Sequence, residues 1–260
     1  MAPRQSHATM SLPHELVDTI FTFCDTDTEV ETLLTCALTS HSWLYSSRRY
    51  SFKQVILSRE SVVPFFDLLK SPHESLSPHV SGIDFLAGAW LRWASQASDA
   101  GQLSALKTLR LFDAIVSRDA LTNPIVTAPF KHITDLKLSR VLCLDVHVLL
   151  QFLLQFPLLR SLSLKSIFMN HTVANAGVVD YRLENLEYMA LGLEKLPMKS
   201  LLTILLSSNA KIIPNLSGLA IHKLHESNVE LFGHFVKCLG RKNLKKLIIS
   251  SPCTPSDPIL

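Results

Sequence analysis

The stretch Leu159-Arg-Ser-Leu162-Ser-Leu164 decides the fold. It has the form apolar-x-x-apolar-x-apolar, and the chain repeats that form. Copies are Val80-Ser-Gly-Ile83-Asp-Phe85, Leu106-Lys-Thr-Leu109-Arg-Leu111, Ile133-Thr-Asp-Leu136-Lys-Leu138, Leu186-Glu-Tyr-Met189-Ala-Leu191, Leu216-Ser-Gly-Leu219-Ala-Ile221 and Leu244-Lys-Lys-Leu247-Ile-Ile249. The central anchors are Ile83, Leu109, Leu136, Leu162, Met189, Leu219 and Leu247, and they recur at a nearly constant interval. In an extended strand, residues two apart face the same way. The fourth and sixth positions of each copy therefore point into one core, and the residue between them points out. A single such strand cannot bury its apolar edge, so neighbouring copies must stack. Phe52-Lys-Gln-Val55-Ile-Leu57 extends the pattern upstream, with Val55 one further period before Ile83. An ordinary α/β domain with evenly spaced strands is the alternative.

The period and pattern resemble the leucine-rich repeat, whose units run to roughly 20–29 residues. The expected fold is an α/β leucine-rich-repeat solenoid, a horseshoe with about seven or eight parallel strands and outer helices. Residues 61–70, 144–156, 199–208 and 227–239 read as helices between strands; 87–101 and 113–129 read so more weakly, and 167–182 is poorly periodic. No asparagine stands three residues after the sixth position; Ala114, Val141, Ile167, Glu194, Leu224 and Pro252 occupy those places. The turns are therefore not held by an asparagine ladder.

The chain is 47% hydrophobic and 18% charged, the composition of a folded protein. A net charge of +3 does not by itself imply a polyanionic partner, so no nucleic acid is expected. The cysteines, Cys24, Cys36, Cys143, Cys238 and Cys253, include no C-x-x-C pair and read as buried free thiols in a reducing compartment. Residues 1–10 are polar, so no secretory signal is expected there. The run 141–159 carries Asp145, His147, Gln151, Gln155 and Pro157, and reads as a buried helix rather than a membrane span.

Upstream of the repeats the apolar period changes. Pro13 and Glu15 suit a helix start, and Leu12, Leu16, Ile20 and Phe23 share one face of that helix. Thr28 and Glu31 form a capping box for a second helix, whose apolar face would carry Val30, Leu33, Leu34, Ala37 and Leu38. Ser40 can cap a third, 41–50, with Trp43, Leu44 and Ser47 inward. Three short helices make a thin core that usually needs a partner, although Leu12, Leu16 and Ile20 can also be read as internal core.

Leu12-Pro13-x-Glu15-Leu16-x-x-x-Ile20, followed by Leu34-Thr-Cys-Ala-Leu38-Thr-Ser-His-Ser-Trp43, resembles an F-box over residues 11–50. The layout is similar to that of fungal F-box proteins with degenerate leucine-rich repeats. Many members have a Cys-Lys/Arg pair before the tryptophan; this chain has His41-Ser42. The resemblance implies a substrate receptor of an SCF-type cullin ubiquitin ligase, in the cytoplasm or nucleus. The F-box would dock the Skp adaptor, and through it a cullin, by Leu12, Pro13, Leu16, Ile20, Leu38 and Trp43. The repeats would bind a protein substrate. Domain boundaries follow: a loose tail 1–10, the F-box-like unit 11–50, the repeats 51–252 and a C-terminal tail 253–260. No Gly/Ser-rich linker separates the two folded units, so they should be rigidly joined.

Two other functions remain open: a scaffold that binds a protein partner without a ligase, and an enzyme with an unrecognised site. The sequence has no G-x-S-x-G, P-loop, G-x-G-x-x-G or H-E-x-x-H motif, so no catalytic residue, metal or cofactor is assigned. Arg241, Lys242, Lys245 and Lys246 read as a solvated rim of the last repeat, and Trp90 and Trp93 as core. The substrate face is expected on the inner side of the strands. Its residues would be Asp84, Arg110, Lys137, Ser163, Ala190, Ala220 and Ile248, with Phe112, Ser139, Lys165 and His222 one step along. Within it, Arg110, Lys137 and Lys165 are expected to hold an acidic segment of the partner.

Overall fold

The computed structural model describes residues 12–23, 30–71, 76–96, 103–116, 130–169, 181–192, 198–207, 212–224 and 228–250. Both expected tails and the Thr28 end of the capping box lie outside them.

Each copy of the motif forms one strand. The strands are β1 (Gln54–Leu57), β2 (Gly82–Phe85), β3 (Thr108–Phe112), β5 (Asp135–Ser139), β7 (Ser161–Lys165), β9 (Tyr188–Gly192), β10 (Gly218–His222) and β11 (Lys246–Ser250). They make one open, parallel, eight-stranded sheet in strict chain order, with β1 and β11 at its edges. The register is the one the repeat demands: Val55, Ile83, Leu109, Leu136, Leu162, Met189, Leu219 and Leu247 pair in succession. From Ile83 to Leu219 all of these anchors are buried, as are Phe85, Leu111, Leu138, Leu164, Leu191 and Ile221 two residues on.

The anchors of β11 do not follow. Leu247 and Ile249 are exposed.

Helices connect several of the strands: α4 (Val62–Leu69), α5 (Ala89–Gln96), α6 (Val146–Leu153), α7 (Met198–Ser207) and α8 (Val229–Asn243). They pack their apolar residues on the sheet's covered face in one continuous core. The stretch 141–159 supplies α6, with Val146, Val148, Leu149, Leu150, Phe152 and Leu153 all buried. Asp145 caps that helix by accepting from the Val148 N–H at 2.8 Å. Trp90 and Trp93 lie in the core, stacked with Phe85 and Phe130.

The expected helix at 113–129 is corrected by the structure. Ile115–Val116 is a short strand, β4, which pairs with β6 (Leu142–Cys143); β6 pairs in turn with β8 (Phe168–Met169). Residues 117–129 lie outside the described set.

Backbone ladders take the place of an asparagine ladder. Just before each strand, one carbonyl accepts two N–H groups from the next repeat: Ser81 from Lys107 and Thr108, Lys107 from Thr134 and Asp135, Thr134 from Arg160 and Ser161. The series continues with Arg160 accepting from Glu187 and Tyr188, and Glu187 from Ser217 and Gly218. Just after four of the strands the chain turns through a left-handed residue: Asp113, Arg140, Ser166 and Lys223 have φ of 50°, 55°, 52° and 62°. Such corners cost a non-glycine residue on the order of 1 kcal/mol. Backbone bonds between neighbouring corners offset that cost, from Asp113 N–H to Ser139 O, Arg140 N–H to Lys165 O and Lys223 N–H to Ser250 O. An ion pair of 2.6 Å between Asp113 and Arg140 adds to them. Ala114, Val141 and Ile167, at the places an asparagine would take, are buried and apolar.

Ahead of the sheet stand α1 (His14–Thr22), α2 (Val30–Thr39) and α3 (His41–Ser51), with α3 packed against both of the others. Their core is separate and small: Val17, Phe21 and Leu33, with Cys36, Trp43 and Tyr50 partly enclosed. Only Phe52 and Lys53 separate α3 from β1. Tyr45 of α3 packs edge-on against His79, which precedes β2, with ring centroids 5.0 Å apart.

Candidate functional surfaces

Two surfaces collect the residues that the sequence singles out. The first is on the helical unit. Leu16 and Ile20 lie one helical turn apart on α1, Leu12 stands just ahead of its N-cap, and all three face solvent, Leu16 being 51% exposed. Val17 and Phe21, on the opposite side, form the core. The stripe is therefore outside the protein's own packing, and the internal-core reading of these three residues is set aside. Pro13 is exposed at the N-cap, and Phe23 continues the stripe at 83% exposure.

On α2 the apolar face divides between core and solvent. Leu33 is buried, but Leu34 and Leu38 project outward, with Leu38 88% exposed. Leu33 and Cys36 meet the small core. Trp43 behaves differently from the other expected docking residues. It packs edge-on against Phe21 at 5.8 Å and is half-buried against the small core.

The second surface is the open face of the eight-stranded sheet. Side-chain alternation and register place its residues in rows. One row reads Ile56, Asp84, Arg110, Lys137, Ser163, Ala190, Ala220, Ile248. The next reads Phe112, Ser139, Lys165, Gly192, His222, Ser250. Arg110, Phe112, Lys137, Ser163 and Lys165 lie together on β3, β5 and β7. His222 sits on β10, two strands from Lys165, and its Nδ1 lies 2.8 Å from the Ser250 hydroxyl.

Arg110 is paired with Asp84, whereas Lys137 and Lys165 have no carboxylate within salt-bridge distance among the described residues. Its guanidinium donates to Asp84 Oδ2 at 3.4 Å, and the Gln54 amide donates to Asp84 Oδ1. The Gln54 side chain lies over Gly82, in space that a Cβ there would fill. Burial raises the Asp84 carboxyl above the usual aspartate range, outweighing the lowering by Arg110 and Gln54. Sequence reasoning placed Asp84 on this face and missed its pairing. The signal was the in-register succession of an acid and a base on adjacent strands, Ile83-Asp-Phe85 against Leu109-Arg-Leu111.

Elsewhere titratable groups meet as pairs. His147 Nδ1 lies 2.9 Å from the Tyr181 hydroxyl, tying α6 to the segment before β9. Burial, with Asp145 nearby, pushes the Cys143 thiol up to about 12, so it stays protonated and unreactive. Cys238 is exposed, against the expectation that the thiols are buried. Among the described residues, no three His, Cys, Asp or Glu side chains gather as metal ligands. Among them also, no helix is long and apolar enough to cross a membrane. A groove of about 200 Å³ beside Phe156 and Leu183 is lined by Arg182, Glu184 and Asn185; the Asn185 amide there donates to the Pro157 carbonyl at 2.8 Å. The chain matches no protein-family model, and no curated protein matches it.

Proposed function

We propose that the protein is a substrate receptor of an SCF-type cullin ubiquitin ligase. In this reading the three helices are an F-box that docks the Skp adaptor, and the eight-stranded sheet belongs to a leucine-rich-repeat solenoid that binds a protein substrate. The observation that carries it is the outward stripe Leu12, Leu16 and Ile20, on a three-helix unit joined to the sheet through only Phe52 and Lys53. Exposed apolar surface of this kind on a folded protein marks a partner site. Covering it contributes on the order of 1 kcal/mol for each half-exposed leucine or isoleucine. Leu34 and Leu38 add apolar area on the same unit. A rigid join suits a receptor, because it holds the captured protein at a fixed position relative to the adaptor.

The test is co-expression with a Skp adaptor followed by purification on the adaptor. The wild-type chain should be retained and Leu16→Glu lost, with the melting curve of the variant unchanged. Retention of Leu16→Glu at wild-type yield would overturn the docking assignment. A second reading, a repeat scaffold without a ligase role, is favoured by His41-Ser42, where many F-box proteins have Cys-Lys/Arg. It predicts no adaptor in the complex at all.

A further inference from the structure

The open face carries its charge unevenly. Lys137 is in register with Ser163, and Ser139 with Lys165. The four side chains stand at the corners of a rectangle about 4.8 Å by 6.6 Å on β5 and β7. Two ammonium groups occupy one diagonal and two hydroxyls the other. Leu136, Leu138, Leu162 and Leu164, which alternate with them, are buried, so all four point to the open side. Lys137 and Lys165 are exposed, and among the described residues neither has a carboxylate within salt-bridge distance. Asp135, the nearest acid along β5, accepts the Thr134 hydroxyl at 2.7 Å. Arg110, one strand away, is held by Asp84.

Next to the rectangle the face turns apolar. Phe112 is in register with Ser139 and so with Lys165, and the exposed Leu86 and Ile56 lie beyond it on the β1–β2 side. From Phe112 to the middle of the rectangle is about 8 Å, the length of two or three residues of extended chain.

We propose that this face binds an extended segment of a partner protein lying across the strands. One apolar side chain of the segment rests on Phe112. One oxyanion, a carboxylate or a phosphate two or three residues away, sits over Lys137, Ser139, Ser163 and Lys165. Charge complementarity selects the occupant: paired ammonium and hydroxyl donors match an anion and repel a basic segment. Asp84 positions Arg110 away from the anion and limits the site to the two lysines. The proposal rests on reading the open face as the partner surface and is independent of the adaptor.

The test uses the full-length chain and short fluorescein-labelled peptides. The parent peptide has one leucine and, three residues on, one glutamate in a serine/glycine background. Companions carry glutamine or phosphoserine for the glutamate, or asparagine for the leucine. Fluorescence anisotropy should show the glutamate and phosphoserine peptides binding on the order of ten-fold more tightly than the glutamine peptide. That advantage should shrink between about 0.05 M and about 0.3 M salt. The asparagine peptide should bind more weakly than the parent. Tighter binding of phosphoserine than glutamate assigns the site to phosphate, and the reverse order assigns it to carboxylate.

The double variant Lys137→Gln/Lys165→Gln should erase the difference between glutamate and glutamine peptides; both residues are exposed, so its melting curve should match wild type. Asp84→Asn should tighten binding of the anionic peptides a few-fold, by releasing Arg110, and leave the glutamine peptide unchanged. Equal affinity of the wild type for glutamate and glutamine peptides would overturn the proposal, as would an unchanged preference in the double variant. Adaptor co-purification of the double variant is the control. If the adaptor is retained while peptide selectivity is lost, the site is supported without bearing on the docking stripe. Loss of the adaptor in Leu16→Glu, with peptide selectivity absent in the wild type, leaves docking standing and this site refuted.

Discussion

The two halves of the molecule bury apolar residues by opposite means. The sheet stacks like on like: each anchor meets its counterpart one repeat away, and one continuous core runs from Leu57 on β1 to Leu239 on α8. The three helices close on Val17, Phe21 and Leu33 alone, and leave Leu12, Leu16, Ile20, Phe23, Leu34 and Leu38 outside. A repeat is stabilised by its neighbours and exposes apolar area mainly where the neighbours stop, as at Leu247 and Ile249. A small helical unit cannot close on itself without leaving such area on its flanks. The exposure at β11 lies on an edge strand of the described sheet, whereas that on α1 lies along one side of a helix.

The contrast is broken most severely at the centre of the sheet. Leu162 is buried between Leu136 and Met189. Leu162→Asp removes roughly 1.5–3 kcal/mol of burial and adds the several kcal/mol of an unpaired buried carboxylate. That approaches the whole stability of a typical domain, about 5–15 kcal/mol. The variant should be insoluble or unfolded in far-ultraviolet circular dichroism. A soluble variant with a wild-type melting curve would refute the packing described here.

Phe21→Ala tests whether the small core stands apart. Phe21 is buried and touches Trp43 and Tyr50. Truncating a buried phenylalanine costs about 3–5 kcal/mol, more than three helices with so little core can sustain. Limited proteolysis should cut within α1, α2 and α3 while the sheet resists. Uniform loss of protection across the chain would mean that the two cores form one cooperative unit.

Most of the sheet was legible in advance because its signal is arithmetic. Anchors that recur at a nearly constant interval fix strand order and register together, since a slip of one position would turn every anchor outward. The connecting segments were less legible. Residues 113–116 read as weak helix because Ala114 and Val116 are apolar. The left-handed φ at Asp113, which sends the chain into β4, has no signature in an aspartate. On α2, periodicity marks Leu33, Leu34, Ala37 and Leu38 as one apolar face, and the size of the opposing core decides which of them is covered. At the open face the membership of the rows was readable from alternation. The pairing of Arg110 with Asp84 was signalled by an acid and a base in register on adjacent strands; the Gln54 side chain lying over Gly82 was not.

A milder change sharpens the comparison on α1. Leu16 already faces solvent, so Leu16→Glu should alter stability by no more than about 0.5 kcal/mol. Set beside Phe21→Ala, further along the same helix, it separates a residue that holds the unit together from one that the unit presents outward. Equal destabilisation by both, measured in urea, would mean that the α1 stripe is part of the fold's own packing.

The smallest expected effect comes from Asp84, the buried carboxylate of the open face. Its folded pKa lies above the unfolded value. Between those two values the folded state holds more protons than the unfolded state, so stability falls as pH rises through that window. Its contribution is greatest below the unfolded value near 3.8 and is lost as pH climbs through the folded one. Asp84→Asn removes the titration and keeps an oxygen that can accept from Gln54. Thermal melts of wild type and variant, taken at close pH intervals from acid to neutral, should therefore differ in slope. Relative to the variant, the wild type should lose stability as pH rises through the window, and the two should run parallel above it. Parallel curves throughout would show that Arg110 and Gln54 fully offset the burial of Asp84. A wild type that gained stability relative to the variant with rising pH would show that they outweigh it, making the pair a stabilising one.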